Sequence, residues 1–248
     1  MKNKLGIYFT AGYPRPESTL EILHALADAK VKFIEVGIPF SDPLADGPVI
    51  QESSKQALEL GVNLDKIFED LKQFKLERTD HPDLYLMGYL NSVLSYGVEN
   101  FLSQAQTAGV TGVILPDLPF NYYQKHYQAL FNTYNIKPVF LISPASSSTY
   151  IEVLDQANLG FIYVLSSNAT TGKKLSLSDN EAFFKRLRAM DLKTETYLGF
   201  GIKSKEDITY ASTFFDGGII GSEMIRRLDD KELDSPKKAI NRFMQELV

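Results

Sequence analysis

The sequence predicts an α/β fold in which eight parallel strands close into one (β/α)8 barrel, and three observations predict it. Short runs of apolar β-formers alternate with amphipathic helical stretches along the whole chain, the pattern of βαβ units and a parallel sheet. The alternation repeats eight times in 248 residues, and about 250 residues is the usual length of such a barrel. No linker or low-complexity segment interrupts it, so residues 1–248 read as a single TIM-barrel domain with a closed parallel eight-stranded sheet. An open doubly wound sheet is the competing arrangement. Against it, no G-x-G-x-x-G follows the first strand, where a dinucleotide fold needs one.

The elements follow in order. Leu5 to Thr10 is the first strand, and a helix over Ser18 to Lys30 sets Leu20, Leu23, Leu26 and Ala27 on one face. The second strand, Val31 to Val36, ends at Gly37 and Pro39, and a loop punctuated by Pro and Gly runs to Pro48. Gln51 to Leu60 is a helix stopped by Gly61, and a second helix opens at Asn63 or Leu64 and runs to about Phe74. Strands over Leu84 to Tyr89, Gly112 to Leu115, Pro138 to Ile142 and Gly160 to Leu165 are separated by helices over Val98 to Ala108, Tyr122 to Tyr134 and Thr149 to Ala157. A helix from about Asp179, a strand over Thr196 to Leu198, a helix from Ser204 and a strand over Gly218 to Ile220 complete the eight units. The last helix takes Ser235 as N-cap and Pro236 at its first position, with Ile240, Phe243, Met244 and Leu247 on one face.

Composition narrows the function. Hydrophobic residues make up 44% and charged residues 23%, enough for a sizeable core in a soluble globular chain. A net charge of −5 with no basic cluster argues against nucleic acid as a partner. The absence of cysteine removes disulfides, thiolate metal sites and Cys nucleophiles, and fits a reducing cytoplasm. The N-terminal apolar run is too short for a signal-peptide core, and no stretch approaches a membrane span.

Barrel chemistry sits at the C-terminal ends of the strands. Strand one offers Tyr8 and Thr10, and strand two offers Glu35 with Asp42 and Asp46 in its loop. Strand three offers Tyr89 and Asn91, strand four Asp117, strand five Ser143, and strand six Tyr163, Ser166 and Ser167. His24, His81 and His126 all fall away from strand ends and read as solvated surface residues, so no metal site is expected. Lys32 and Lys137 fall at strand starts, the wrong end for a Schiff-base lysine. What remains is proton transfer by carboxyls in an apolar and aromatic pocket. Glu35 shares a strand face with Phe33, and a carboxyl leaving an apolar core has the raised pKa that a general acid/base needs. From the pattern alone a structural carboxylate, paired to a lysine or to backbone amides, stands beside that possibility. Asp46 in D-G-P equally suits turn capping, and Tyr8, Tyr89 and Tyr163 equally suit core packing. Glycines after strands six, seven and eight (Gly172, Gly199, Gly201, Gly221), with Ser222 at a helix start, suggest a phosphate cradle.

The stretch from Phe33 to Pro48, FIEVGIPFSDPLADGP, closely resembles the signature segment of the tryptophan synthase alpha chain family. GIYFTAGYP, YLNSVLSYGVENF, GVILPDLP, FLISPAS, GFIYVLS, LGFGI and GGIIGS follow in that family's order and spacing, so the resemblance covers nearly the whole chain. It implies reversible cleavage of indole-3-glycerol phosphate to indole and glyceraldehyde 3-phosphate, with Glu35 as general acid/base and Asp46 holding the indole nitrogen. It further implies that Tyr8, Tyr89, Tyr163 and Thr171 contact the substrate and that Gly172, Gly201, Gly221 and Ser222 hold its phosphate. No cofactor is implied in this chain; pyridoxal phosphate belongs to a partner beta chain in an αββα heterotetramer, with the Ser41 to Pro43 loop, the Asn91 region and Pro116 to Pro119 as contact surfaces. The sequence departs from the family at Tyr8, where Phe is frequent, at Ser167, where Arg is usual, and at Ala169, where Gly is usual. Its N-terminus begins almost at strand one. A freestanding lyase of the same chemistry and a non-catalytic activator of a beta chain are the alternatives; Glu35 and Asp46 together disfavour the second.

Overall fold

The computed structural model describes residues 4–157, 159–166, 180–229 and 235–247. Eight parallel strands close in sequence order: β1 Leu5–Thr10, β2 Phe33–Gly37, β3 Asp83–Met87, β4 Gly112–Ile114, β5 Lys137–Ile142, β6 Ile162–Leu165, β7 Thr196–Gly199 and β8 Gly217–Ile220, with β8 pairing back onto β1. The helices around them are α1 Ser18–Asp28, α2 Pro48–Glu59, α3 Leu64–Glu77, α4 Leu90–Tyr96, α5 Val98–Thr107, α6 Phe120–His126, α7 Gln128–Thr133, α8 Ser148–Asp155, α9 Glu181–Ala189, α10 Lys205–Ala211, α11 Ser222–Leu228 and α12 Pro236–Glu246. All eight expected strands form, and the expected closed barrel with them.

Local chemistry explains several boundaries. Asn63, Ser204 and Ser235 each cap a helix by accepting a backbone N–H, and Ser204 and Asp207 cap reciprocally. Two helical segments differ from the sequence reading. Tyr89 and Asn91 do not extend β3: Tyr89 caps α4 and Asn91 lies exposed on it, because the Asp117 carboxylate from the β4 loop accepts the Leu90 N–H at 2.9 and 3.1 Å and starts a helical turn there. The single helix expected over Tyr122 to Tyr134 is two, α6 and α7, parted at Tyr127. No Gly or Pro marks that break. It accompanies the packing of the Tyr123 ring against both Phe131 (5.3 Å) and Phe140 (5.4 Å), a tertiary cause. Among the described residues no helix is long and apolar enough to cross a membrane.

The barrel interior is layered, and one layer fixes the position of the site. Phe33, Tyr85, Phe161 and Tyr197 bring their rings together near the N-terminal ends of the strands, with centroids between 4.8 and 5.5 Å for Phe33 against the other three. All four are at most 5% exposed, so they close the floor. Room for them comes from missing side chains. A Cβ on Gly6 would overlap the Phe33 ring, and one on Gly112 would come within 2.6 Å of the Tyr85 ring. Edge-to-face rings at these distances add about 0.5–1.5 kcal/mol per pair beyond area burial.

Candidate active site

Side chains alternate along a strand, so Glu35 points the same way as Phe33, into the barrel, one layer above the aromatic floor. Its Cα pairs with Tyr8 on β1 and with Tyr85 on β3. The residue is fully buried, and neither carboxyl oxygen has a hydrogen-bond partner among the described residues. Burial alone pushes the Glu35 carboxyl up from 4.5 to about 8. Among the described residues neither a lysine nor an amide holds the carboxyl, as a structural carboxylate would require.

Asp46 reaches the same interior from the β2–α2 loop. The loop is held by its own amides, with Asp46 N–H donating to the Pro43 carbonyl (3.1 Å) and Gln51 Nε2 donating to the Asp46 carbonyl (2.8 Å). Tyr89 orients the carboxylate. Its hydroxyl donates to Asp46 Oδ2 (3.1 Å) while accepting the Ala45 N–H (2.9 Å), and its ring stacks on Phe40 at 4.9 Å. Burial raises the Asp46 carboxyl to about 6, and the Tyr89 hydrogen bond offsets part of that. Nothing local in the sequence marks Phe40: its role comes from a ring 49 positions on. Asp42, by contrast, is exposed.

Tyr8 and Tyr163 complete the enclosure. Each is 5% exposed, and burial together with the nearby Glu35 and Asp46 charges drives both phenols far above their ordinary range, so both stay protonated. Their rings lie over glycines: a Cβ on Gly37 would overlap Tyr8, and one on Gly199 would overlap Tyr163. A pair of carboxyls titrating near 8 and 6 gives, near neutral pH, one group that still holds its proton and one that has lost it. That is the division of labour acid–base chemistry needs.

The glycine-rich turns fall on adjacent strand ends. Gly201 follows β7 with φ +89°, a conformation that favours glycine. Gly221 joins β8 to α11, whose first residue is Ser222, and the nearest atoms to a Cβ on Gly221 would be those of Tyr8, at 3.4 Å. Ser166 donates to the Phe200 carbonyl (3.1 Å), tying the end of β6 to the β7 turn. Ser167, Ala169, Thr171 and Gly172 lie outside the described residues. Two histidines depart from the solvated picture. His24 bonds Glu77 at 2.8 Å and packs on Phe74, and His81 packs on the same ring; His126 is exposed.

With this geometry in hand, likeness to known proteins adds the family. The tryptophan synthase alpha chain family model matches residues 1–247. A tryptophan synthase alpha chain of Flavobacterium psychrophilum is 42% identical over 247 residues, covering 99% of this chain and 95% of the relative. One from Christiangramia forsetii is 44% identical over 227 residues, covering 91% of this chain and 88% of its own. The crystal structure of tryptophan synthase subunit alpha from Legionella pneumophila superposes with a TM-score of 0.87 at 32% identity, covering 98% of this chain and 90% of that one. Identity at this level over nearly the whole length, on the same closed barrel, makes this chain a member of the tryptophan synthase alpha chain family.

Proposed function

We propose that this chain cleaves indole-3-glycerol phosphate to indole and D-glyceraldehyde 3-phosphate, the alpha reaction of tryptophan biosynthesis, with Glu35 as general acid/base and Asp46 as the partner of the indole N–H. The observation that carries the assignment of roles is the pair of carboxyls: Glu35 buried without a partner among the described residues, Asp46 facing the same interior and oriented by Tyr89. Cleavage of the C–C bond requires the indole ring to become its C3-protonated tautomer. Protonated Glu35 delivers that proton. Ionised Asp46 accepts a hydrogen bond from the ring N–H and stabilises the positive charge that develops there. Glu35, now ionised, takes the proton of the side-chain hydroxyl as the bond breaks in a retro-aldol step, so the acid is restored within the turnover. Tyr8 and Tyr163 wall the ring, with Tyr89 and Thr171 as further substrate contacts. The phosphate is assigned to Gly172, Gly201, Gly221 and Ser222, where backbone N–H groups can approach an anion. Binding it at the rim holds the reacting carbon in place.

The chain is assigned as a single domain over 1–248 that works in the cytoplasm without a cofactor of its own. Its partner is a tryptophan synthase beta chain carrying pyridoxal phosphate, in an αββα assembly. Leu44, 84% exposed at the tip of the β2–α2 loop beside Ser41 to Pro43, supports that contact surface. The test is indole release from indole-3-glycerol phosphate with and without a beta chain. Release that rises on adding the beta chain, and is lost in Glu35→Gln, supports the assignment. Full release with no response to the beta chain makes it a freestanding lyase, and no release under either condition makes it an activator.

A further inference from the structure

Asp46 is held at two ends, and the second hold comes from a residue that carries no charge. Its carboxylate accepts the Tyr89 hydroxyl from the buried side. Its main chain is held from the exposed side by Gln51, whose Nε2 donates to the Asp46 carbonyl at 2.8 Å and reaches the Pro43 carbonyl at 3.5 Å. Both partners are carbonyl oxygens, which only accept, so the side-chain nitrogen is the donor in each contact. Pro43 and Asp46 are the two ends of one turn, closed by the Asp46 N–H donating to the Pro43 carbonyl at 3.1 Å. One amide therefore spans the turn that carries Asp46. Gln51 is anchored in its own right. Its N–H donates to the Gly47 carbonyl at 3.0 Å at the start of α2. Two positions on, Ser53 Oγ lies 2.7 Å from Thr10 Oγ1, which ties α2 to the end of β1 whichever hydroxyl donates.

We propose that Gln51 is a positioning residue for the proposed reaction: by clamping the Pro43–Asp46 turn to α2 it keeps the Asp46 carboxylate inside the barrel, where the ring N–H of the substrate would meet it. The inference rests on the assignment of Asp46 as the partner of that N–H. Gln51 contacts the Asp46 main chain and not its carboxylate, so it acts through placement alone. The turn has few holds of its own. Ser41, Asp42 and Leu44 are exposed, and inside the loop only the Asp46 to Pro43 bond and a 2.9 Å bond from the Leu44 N–H to the Asp42 carbonyl close it. Without the amide, the Pro43 and Asp46 carbonyls are free to turn to water and the turn to lift from α2. A shift of about 1 Å breaks the contact with Tyr89, and a misplacement of that size can cost on the order of 10²-fold in rate. A residue that merely strengthens the start of a helix would change stability and leave the chemistry alone.

Gln51→Met keeps the length of the side chain and removes the donor, and Gln51→Glu keeps its shape and sets an acceptor against two carbonyls. Gln51 is exposed and on a helix, so both variants are expected to unfold at the parent's urea midpoint. In both, kcat for indole release should fall by about 10–100-fold, with KM changed less. In an Asp46→Asn background Gln51→Met should cost nothing further, since the group that it positions is already gone. The second readout needs no turnover. The Asp46 carboxyl is followed by carbon-13 NMR of aspartate-labelled protein, assigned by the signal that Asp46→Asn removes. Besides Glu35, the ionisable groups around it are Tyr8, Tyr89 and Tyr163 inside, and Asp42, Glu52 and Lys55 along the outer groove between the loop and α2; Gln51→Met changes none of them. The Asp46 midpoint, about 6 in the parent, should fall by about 1 pH unit in Gln51→Met as water reaches the carboxylate. An unchanged midpoint overturns the inference, as does an equal loss of kcat in both backgrounds, or a lower urea midpoint with kcat intact. A parent that releases no indole sinks the proposed reaction instead, and the titration then decides the clamp alone.

Discussion

Replacing Glu35 by Gln is expected to abolish most turnover and at the same time make the protein more stable above pH 5. In the folded chain burial holds the carboxyl near 8, against 4.5 ordinarily. Below pH 4.5 folded and unfolded chains both keep the proton, and the group adds no pH dependence. Between 4.5 and 8 the unfolded carboxyl has ionised and the folded one has not, so the folded state binds more protons and its stability falls as pH rises. At about 1.4 kcal/mol for each pH unit, the loss reaches about 3 kcal/mol at pH 7 and about 4 kcal/mol at pH 8. Glutamine fills the same space and does not ionise, so it removes this cost. Urea unfolding followed by circular dichroism at pH 5, 6, 7 and 8 reads the difference. With an m-value of ~3 kcal/mol/M, the variant's midpoint should exceed the parent's by about 1 M at pH 7 and converge with it toward pH 5. Asp46 and the other carboxyls titrate in both proteins and cancel. The loss of turnover should be at least about 10²–10⁴-fold, the share usually carried by one acid/base. Equal midpoints at every pH, or a variant that is less stable at pH 8, would refute the desolvation reasoning.

Three further outcomes follow from the same geometry. The proposed roles require Asp46 ionised and Glu35 protonated, so kcat should fall on the acid side with a midpoint near 6 and on the alkaline side with a midpoint near 8; a profile flat from pH 5 to 9 would contradict them. Tyr89→Phe removes the donor to Asp46 Oδ2 and leaves the Ala45 N–H without its acceptor, so the acid limb should move to higher pH and stability should drop by about 1–3 kcal/mol, read from the pH–rate profile and urea unfolding. Gly221→Ala and Gly199→Ala should separate: at Gly221 the new methyl meets only ordinary contacts, so stability holds while KM rises. At Gly199 it collides with Tyr163, so stability falls by about 1–3 kcal/mol, measured by thermal unfolding.

Much of this molecule is legible in its residues because the strands are short apolar runs closed by Gly or Pro, and alternation then settles which way Glu35 points. The proximity of Asp46 to that strand end is legible too, since eleven positions and two prolines separate them. What escapes is set by tertiary partners. The start of α4 depends on Asp117, 27 positions on. The break at Tyr127 depends on rings from elsewhere. That Glu35 has no partner among the described residues is likewise a property of the assembled interior; its own strand is compatible with either outcome.

The four-ring floor also bears on where protons travel. Beneath Glu35 packed rings close the floor to a substrate, but two of them are phenols, and the Tyr197 hydroxyl donates to Glu195 at 3.2 Å, so that end of the barrel carries polar groups of its own. In the proposed cycle a substrate enters from the opposite end, and the proton spent on C3 is replaced from the substrate's own hydroxyl, so the acid is restored without a proton drawn through that floor.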